Sequence, residues 1–226
     1  MRCSEIIDRL KVLSDPEAAA GMARFGINPE RTFGVSIPKL RALARQAGRD
    51  HTLAGQLWAS GIHEARILAS MIDDPAAVSM AQMEAWAADF DSWDVCDQTC
   101  NNLFRRTPYA WEKAAEWSGR PGEFVKRAGF VLMAVLAVHD KEAADERFEA
   151  LIPLIAREAT DGRNFVKKAV NWALRQIGKR NARLHGLAVE AAGEVGRIES
   201  PSARWIGRDA LRELESENVR VRLEKN

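Results

Sequence analysis

An indole and a carboxylate near the middle of the chain have the spacing of a chemical site. In the segment DFDSWDVCDQTCNNLFRR, residues 89–106, Trp93 and Asp97 are four residues apart. Side chains four residues apart lie on the same side of an α-helix, so the indole would stand one turn from the carboxylate, and Asn101 would continue the line. Such a pair offers a flat apolar wall beside an anion.

The same spacing also has a purely structural interpretation. Trp93 would then belong to the core, and Asp97 would pair with Arg105, Arg106 or Arg127. On the residue pattern alone the structural interpretation is favoured.

A second candidate surface is a helix that carries a tryptophan on its polar side. At about 100° per residue, residues 163–179 (RNFVKKAVNWALRQIGK) gather their apolar side chains on one face. That face contains Val166, Ala169, Val170, Ala173, Leu174 and Ile177. The opposite side carries Lys168, Trp172, Arg175 and Lys179 in one stripe. Because Trp172 gains nothing there from the helix's own core, the pattern indicates a surface for a polyanion with flat or apolar parts.

The charge around this helix has one sign. Between Arg163 and Val189 the chain contains Lys and Arg but no Asp or Glu. Nucleic acid is the polyanion that such a surface favours. The predicted DNA-binding residues are Lys126, Lys167, Lys168, Arg175, Lys179 and Arg180. The alternative is that Trp172 packs against a neighbouring helix and the cations are solvated, as charge runs on helices usually are.

Helices are predicted to position all of these side chains. Alternation with a period of two is almost absent and helical periodicity is nearly continuous, which predicts an all-α fold. Four polar residues followed by proline mark helix starts, because the polar side chain caps free amides and proline tolerates the first helical position. These are Asp15-Pro16, Asp74-Pro75, Thr107-Pro108 and Ser200-Pro201. The predicted helices span roughly residues 4–13, 16–25, 37–48, 51–60, 62–72, 75–89, 92–105, 108–118, 122–138, 140–158, 162–179, 182–196 and 201–216.

The predicted helices repeat along the chain. The sequence FVKRA at Phe124 returns as FVKKA at Phe165, 41 positions later, and ALRQI at Ala173 returns as ALREL at Ala210, 37 positions later. A spacing of about 40 residues with two helices per unit is typical of HEAT-like repeats. Stacked antiparallel pairs of this kind form a solenoid, which we expect to be right-handed with a concave basic groove. No linker interrupts the pattern, so we predict one domain over residues 1–226.

Composition excludes several classes of protein. The 226 residues have a formal net charge of +1, so anion binding must come from local charge separation. No apolar stretch approaches the ~20 residues of a membrane span, and the N-terminus lacks a signal-peptide pattern. Three cysteines make no disulfide framework, and the scattered histidines supply no zinc site with the pair Cys96 and Cys100. We therefore expect a cytoplasmic protein with no membrane contact and no metal site, and we also expect it to be a monomer.

Three motifs in order resemble the AlkD-type DNA alkylation repair glycosylases. They are W-D-x-x-D from Trp93, F-V-K-R-A from Phe124 and F-V-K-K-A-x-x-W-x-L-R from Phe165. The similarity extends from about residue 20 to residue 215, and the segment GMARFGI, with Phe25 as its aromatic, resembles the family too. The resemblance implies a HEAT-like solenoid that binds duplex DNA containing alkylated bases. It also implies removal of cationic N3- or N7-alkylated purines without dependence on base flipping.

The resemblance also implies roles for individual residues. Asp97 matches the family's catalytic carboxylate, Trp93 and Trp172 match its active-site tryptophans, and Arg127 matches its active-site arginine. A monofunctional glycosylase of this kind hydrolyses an N-glycosyl bond and needs no lysine nucleophile, metal or cofactor. We expect these four residues to converge on one site. The alternatives are a non-catalytic HEAT-like binder of DNA structures and, less favoured, a protein-interaction scaffold.

Overall fold

The structure is a computed structural model that describes residues 1–224. These residues form α-helices joined by turns and short 3-10 segments, with no β-strand among them, which confirms the predicted all-α fold. The chain divides into two compact units, Met1–Tyr109 and Ala110–Asn226. The single domain over residues 1–226 stays a prediction.

The first unit is built around a central helix, α5. Its helices are α1 (Cys3–Val12), α2 (Pro16–Met22), α3 (Ile37–Ala47), α4 (His51–Ala59), α5 (His63–Ile72), α6 (Met80–Ala88) and α7 (Trp93–Asn102). Helix α5 packs against α3, α4 and α7, and buries Ile67 and Leu68 completely or nearly so. The indole rings of Trp58 and Trp86 stack with their centroids 4.0 Å apart. Because α7 lies against α5, side chains at the start of α5 can reach the residues that begin α7.

The second unit is a row of helices in which α12 lies between α9 and α14. Its helices are α8 (Ala110–Ser118), α9 (Glu123–His139), α10 (Asp145–Glu149), α11 (Ile152–Arg157), α12 (Asn164–Gly178), α13 (Ala182–Arg197), α14 (Pro201–Leu214) and α15 (Glu217–Glu224). The predicted apolar face of α12 is confirmed, since all six of its residues are fully buried. On the side toward α9, the rings of Phe124 and Phe165 lie 5.6 Å apart. The two copies of the F-V-K motif are therefore stacked on each other.

Helices α12 and α14 run side by side and in the same direction. Three contacts along the pair each join residues that are 38 positions apart: Lys167 with Trp205, Asn171 with Asp209, and Arg175 with Glu213. Each step of one turn on α12 is matched by one turn on α14, which is the geometry of parallel neighbours. Equivalent helices of successive repeats are thus in direct contact along their length.

Two predicted helices differ most from the structure, for local chemical reasons. The stretch predicted as one helix over 140–158 is split into α10 and α11, because Pro153 has no N–H and its ring would clash with the carbonyl of Glu149 in a continuous helix. Helix α6 begins at Met80 rather than near residue 75. Its N-cap is Ser79, whose hydroxyl accepts a hydrogen bond from the Gln82 amide at 3.1 Å.

Two of the four polar-proline pairs are helix starts. Asp15 accepts from the Ala18 amide at 2.9 Å and Ser200 accepts from the Ala203 amide at 3.4 Å, so both act as N-caps. The predictions for Asp74 and Thr107 were wrong, because turns rather than helices follow these residues. Helix α15 was not predicted.

A glycine at the crossing of α13 and α14 allows a close approach. A Cβ at Gly207 would lie 2.6 Å from the carbonyl oxygen of Ala192 and 2.6 Å from the Cα of Gly196. We expect Gly207→Ala to lower the free energy of unfolding by about 1–3 kcal/mol, because the backbones must separate. Gly186→Ala is the matched control on α13, where a Cβ meets nothing within 4 Å.

The control substitution should raise the free energy of unfolding by up to about 1 kcal/mol, since glycine weakens a helix interior relative to alanine. Urea denaturation of both variants measures the difference. Equal effects of the two substitutions would contradict the tight crossing.

Candidate functional site

Helix α7 carries Trp93 and Asp97 on one side, one turn apart. Both side chains are half-buried, whereas Val95 and Cys96 between them are fully buried. Trp93 Nε1 donates a hydrogen bond to the carbonyl oxygen of Phe25 at 2.9 Å. Trp93 therefore lies at the rim of the first unit and not in its core, and Asp97 lies at the same rim.

Phe25 places a second aromatic ring beside this rim. Its side chain is 70% exposed, while its backbone carbonyl faces the Trp93 indole. The following residue, Gly26, has a φ of 73°, a left-handed conformation that glycine adopts without strain. The turn therefore directs the Phe25 carbonyl toward α7 and leaves the ring in solvent.

A buried carboxylate on α5 fixes the loop that follows Phe25. Glu64 is 1% exposed and accepts hydrogen bonds from three successive backbone amides. Its Oε1 lies 2.9 Å from the Phe33 nitrogen, 2.7 Å from that of Gly34 and 3.2 Å from that of Val35. A buried carboxylate without such donors would be strongly destabilising, so this arrangement ties the loop to α5.

The neighbouring residue on α5 fixes the first turn of α7. His63 is 6% exposed, and its Nε2 lies 2.8 Å from Oδ2 of Asp94. Burial alone would lower the pKa of His63, but the hydrogen bond to Asp94 and the negative charges of Asp94, Glu64 and Asp91 outweigh burial and raise it. The raised pKa favours the imidazolium form, which pairs with the carboxylate directly after Trp93.

In the second unit, Lys126 and Arg127 are largely buried and bonded to the protein itself. Lys126 Nζ lies 2.5 Å from Glu158 and 3.3 Å from Asp161, and Arg127 donates to the carbonyl oxygen of Phe165 at 2.6 Å. Hydrogen bonds from the Arg163 side chain, with a smaller contribution from Lys126, lower the pKa of Asp161 to about 2. These two cations link neighbouring repeats.

Three further cations of the predicted DNA-binding set also have internal partners. Arg175 and Lys179 both pair with Glu213 on α14. Arg180 donates to the carbonyl oxygens of Ala137 and Asp140 at 2.8 and 2.9 Å. Residues 163–189 contain no Asp or Glu, but two of their cations are still neutralised, because Glu213 on the neighbouring helix α14 pairs with them. The DNA-binding role of these residues stays a prediction.

Lys168 is the exposed residue of the predicted stripe, and Trp172 is half-buried like Arg175 and Lys179. The Gln176 side-chain oxygen accepts from Trp172 Nε1 at 3.0 Å, in the amide orientation that also satisfies Lys179. This bond orients the indole along α12. The expected convergence of Trp172 and Arg127 with Trp93 and Asp97 stays a prediction.

Trp205 on α14 was not predicted as a functional residue, and its ring centroid lies 5.0 Å from Lys167 Nζ. The repeat itself contained the signal. The offset of 37 positions that relates Ala173 to Ala210 also relates Lys168 to Trp205. Trp205 therefore occupies the α14 position that matches the exposed lysine of α12.

Comparison with known proteins finds a sequence family that matches most of the chain. Residues 6–214 match the sequence family described as DNA alkylation repair enzyme. No curated protein sequence matches the chain significantly. Among the described residues, no helix combines the length and apolar character needed to cross a membrane.

One solved structure is similar over almost its whole length. It is described as a new family of proteins related to the HEAT-like repeat DNA glycosylases, with affinity for branched DNA structures. Its TM-score is 0.84 and its identity 22%, with 99% of this chain and 96% of that chain covered. The predicted HEAT-like repeat fold is thereby confirmed. A designed armadillo repeat protein in complex with a peptide has 12% identity, covers 82% of this chain and 88% of that chain, and has a TM-score of 0.33, too low to support any inference.

The His63–Asp94 pair stabilises the folded protein more at low pH than at high pH. Since the pKa of His63 is raised by folding, the contribution is full below the unfolded pKa of about 6.5 and is lost as the pH rises through the folded value. Asp94→Asn should therefore cost more free energy of unfolding at about pH 6 than at about pH 9. Urea denaturation at both pH values measures this difference.

Asp8→Asn is the control, because Asp8 is an exposed carboxylate paired only with Lys11 at 3.0 Å in the described ion pairs of residues 1–224. Its cost should be small at both pH values. A cost of Asp94→Asn that does not shrink as the pH rises would rule out the charged pair.

Proposed function

The chain belongs to the family of DNA alkylation repair enzymes, and we propose that it is a monofunctional DNA N-glycosylase that removes cationic N3- or N7-alkylated purines from duplex DNA. The observation that carries the proposal is the pair on α7, in which a half-buried carboxylate, Asp97, follows a half-buried indole, Trp93, by one turn. Neither side chain is core, and both lie at a rim that α5 holds in place. The pair is suited to a positive charge that forms on a flat substrate.

The chemistry needs little from the protein beyond electrostatic stabilisation. An alkylated purine with a positive charge is already a good leaving group, and it departs as a neutral base with the electron pair of the N-glycosyl bond. The sugar is left with oxocarbenium character at C1′. A fixed Asp97 carboxylate stabilises that charge, orients the attacking water and can accept its proton. The products are the free base and an abasic sugar with a hydroxyl at C1′.

The aromatic residues would contribute by position. An indole face attracts a cation through its quadrupole, so Trp93 favours the charged sugar over the neutral one. The exposed ring of Phe25 extends the apolar surface next to Trp93. Trp172 is proposed to pack on the DNA backbone sugar. Arg127 is largely buried and donates to the Phe165 carbonyl oxygen, so it is proposed to contribute positive charge to the site without a direct phosphate contact. No metal or cofactor is required by this chemistry.

A second candidate function is the binding of branched DNA without base release. It is favoured by the similar solved structure, whose description reports affinity for branched DNA structures. The two functions make different demands on Asp97. Base release needs the carboxylate, whereas binding to a polyanion is weakened by it.

Asp97→Asn should abolish base release and leave DNA binding unchanged or slightly tighter. The substitution keeps the shape of the side chain and removes the charge, and a preorganised contact of this kind typically contributes roughly 3–4 kcal/mol, or about a hundred- to a thousandfold in rate. The measurement is single-turnover release of N7-methylguanine from duplex DNA.

Asp91→Asn is the matched control, because Asp91 is an exposed carboxylate in the same segment that accepts from Asn28 at 3.2 Å. It should release base at the wild-type rate. If the wild-type protein releases no alkylated base but binds a four-way junction more tightly than duplex, the branched-DNA function is the correct one.

Trp172→Ala should weaken DNA binding and slow base release together. The substitution removes an apolar contact of about 1–2 kcal/mol, which corresponds to roughly tenfold in affinity. Fluorescence anisotropy with lesion-containing duplex measures affinity, and single-turnover kinetics measures release. Trp172→Phe should recover most of both. A loss of release with unchanged affinity would contradict a positioning role.

A further inference from the structure

Four cations and Trp205 lie in the N-terminal parts of α12 and α14, which pack side by side. Lys167 Nζ lies 5.0 Å from the centroid of the Trp205 ring, and Lys168 follows it as an exposed side chain. On α14, Arg204 and Arg208 are both exposed and stand one before and three after Trp205. Lys167, Lys168, Arg204, Trp205 and Arg208 together form the Trp205 cluster.

We propose that the Trp205 cluster is a binding site for the phosphodiester backbone of DNA. The inference rests on the DNA-repair function proposed above, and it assigns the backbone contact to residues other than most of those predicted from the sequence. Arg204, Trp205 and Arg208 were not part of the predicted set. The partner is identified by charge, since neighbouring cations that no carboxylate neutralises in an ion pair match a chain of phosphates.

The availability of charge distinguishes this cluster from the rest of α12. Among residues 1–224, no carboxylate lies within the 4.0 Å of an ion pair from Lys167, Lys168, Arg204 or Arg208. By contrast, Arg175 and Lys179 lie about two to three turns further along α12 and share Glu213. A phosphate that approached Arg175 would have to compete with a carboxylate already in place. At the Trp205 cluster it would not.

The packing of α12 against α14 explains why the charges are open at this end. The contacts between the helices change along their length from Arg175 with Glu213, through Asn171 with Asp209, to Lys167 with Trp205. At the last position the partner of the cation is an indole, which holds an ammonium group near its ring without neutralising its charge. Lys167 is thus positioned and remains available to an anion.

Arg204 and Arg208 add two cations to the same side of α14. Arg204 and Arg208 are four residues apart, so their side chains leave the same side of α14 about 5–6 Å from each other at Cβ. The planar guanidinium group donates to phosphate oxygens in a forked geometry. The cluster therefore combines two lysines and two arginines within the first two turns of adjacent parallel helices.

The test compares two double substitutions that change net charge equally. Arg204→Gln with Arg208→Gln removes two cations from the cluster. Arg220→Gln with Arg222→Gln removes two exposed cations from α15 and is the matched control. Binding to an unmodified duplex is measured by fluorescence anisotropy over a series of salt concentrations. The slope of log affinity against log salt counts the phosphate contacts, at about 0.9 per contact.

We expect the cluster variant to reduce the magnitude of this slope by about two units and the control to leave it unchanged. Arg204→Lys with Arg208→Lys keeps the charges and should retain the wild-type slope within about half a unit. The proposal is overturned if both Gln pairs reduce the slope equally, which indicates bulk charge alone, or if the cluster variant reduces nothing. The Lys pair keeps the test decisive if the Gln pair folds poorly, because a reduced slope in a folded Lys variant contradicts a charge-based contact.

Base release by the wild-type protein is measured separately, so that the two proposals fail independently. Release of alkylated base with an unaffected slope in the cluster variant rejects the Trp205 cluster alone. A reduced slope in the cluster variant, with no base release by the wild-type protein, rejects the glycosylase function and leaves the backbone contact intact.

Discussion

A charged side chain that leaves water must meet an opposite charge or a set of hydrogen-bond partners, because an unpaired buried ion costs several kcal/mol. In the first unit this constraint acts at two consecutive residues. Glu64 accepts hydrogen bonds from backbone amides of the loop that follows Phe25, and His63 pairs with the carboxylate of Asp94, directly after Trp93. The first turn of α5 therefore fixes both the loop that follows Phe25 and the start of α7. The spacing of Trp93 and Asp97 then follows from the geometry of α7 itself.

The same constraint decides which cations of the second unit can meet a ligand. Lys126 and Arg127 are buried between repeats and are satisfied by two carboxylates and a carbonyl. Arg175 and Lys179 are satisfied by Glu213. Interhelical ion pairs of this kind contribute to the contact between repeats and reduce the charge available to a polyanion. On α12, Lys167 stays available because α14 offers it an indole, Trp205, in place of a carboxylate.

Local features of this structure could be predicted from the sequence, whereas most long-range pairs could not. The apolar face of α12 follows from helical periodicity, which needs no knowledge of neighbours. The partner of Lys179 is Glu213, 34 positions away. Counting charges along residues 163–189 does not include this carboxylate. Trp205 lies between these two cases. Its contact with Lys167 is long-range, but the sequence repeat aligns α12 with α14 at an offset of 37 residues, and the contacts between these helices occur at nearly the same offset. The buried pair of His63 with Asp94, 31 positions apart, has no such repeat behind it, and no local pattern predicts it.

The number of cations without an internal carboxylate partner limits how many phosphates the protein can contact. With a formal net charge of +1, long-range attraction of the whole chain to a polyanion is weak, so binding depends on local contacts. Four phosphate contacts at the Trp205 cluster would give a salt slope of about 3.6, which amounts to a loss of roughly a hundredfold in affinity between 50 and 200 mM salt. A carboxylate such as Asp97 close to DNA opposes binding through its charge. An enzyme that needs that anion for catalysis must therefore keep some cations free of internal partners, and the indole contact at Lys167 is a means of positioning a cation without neutralising it.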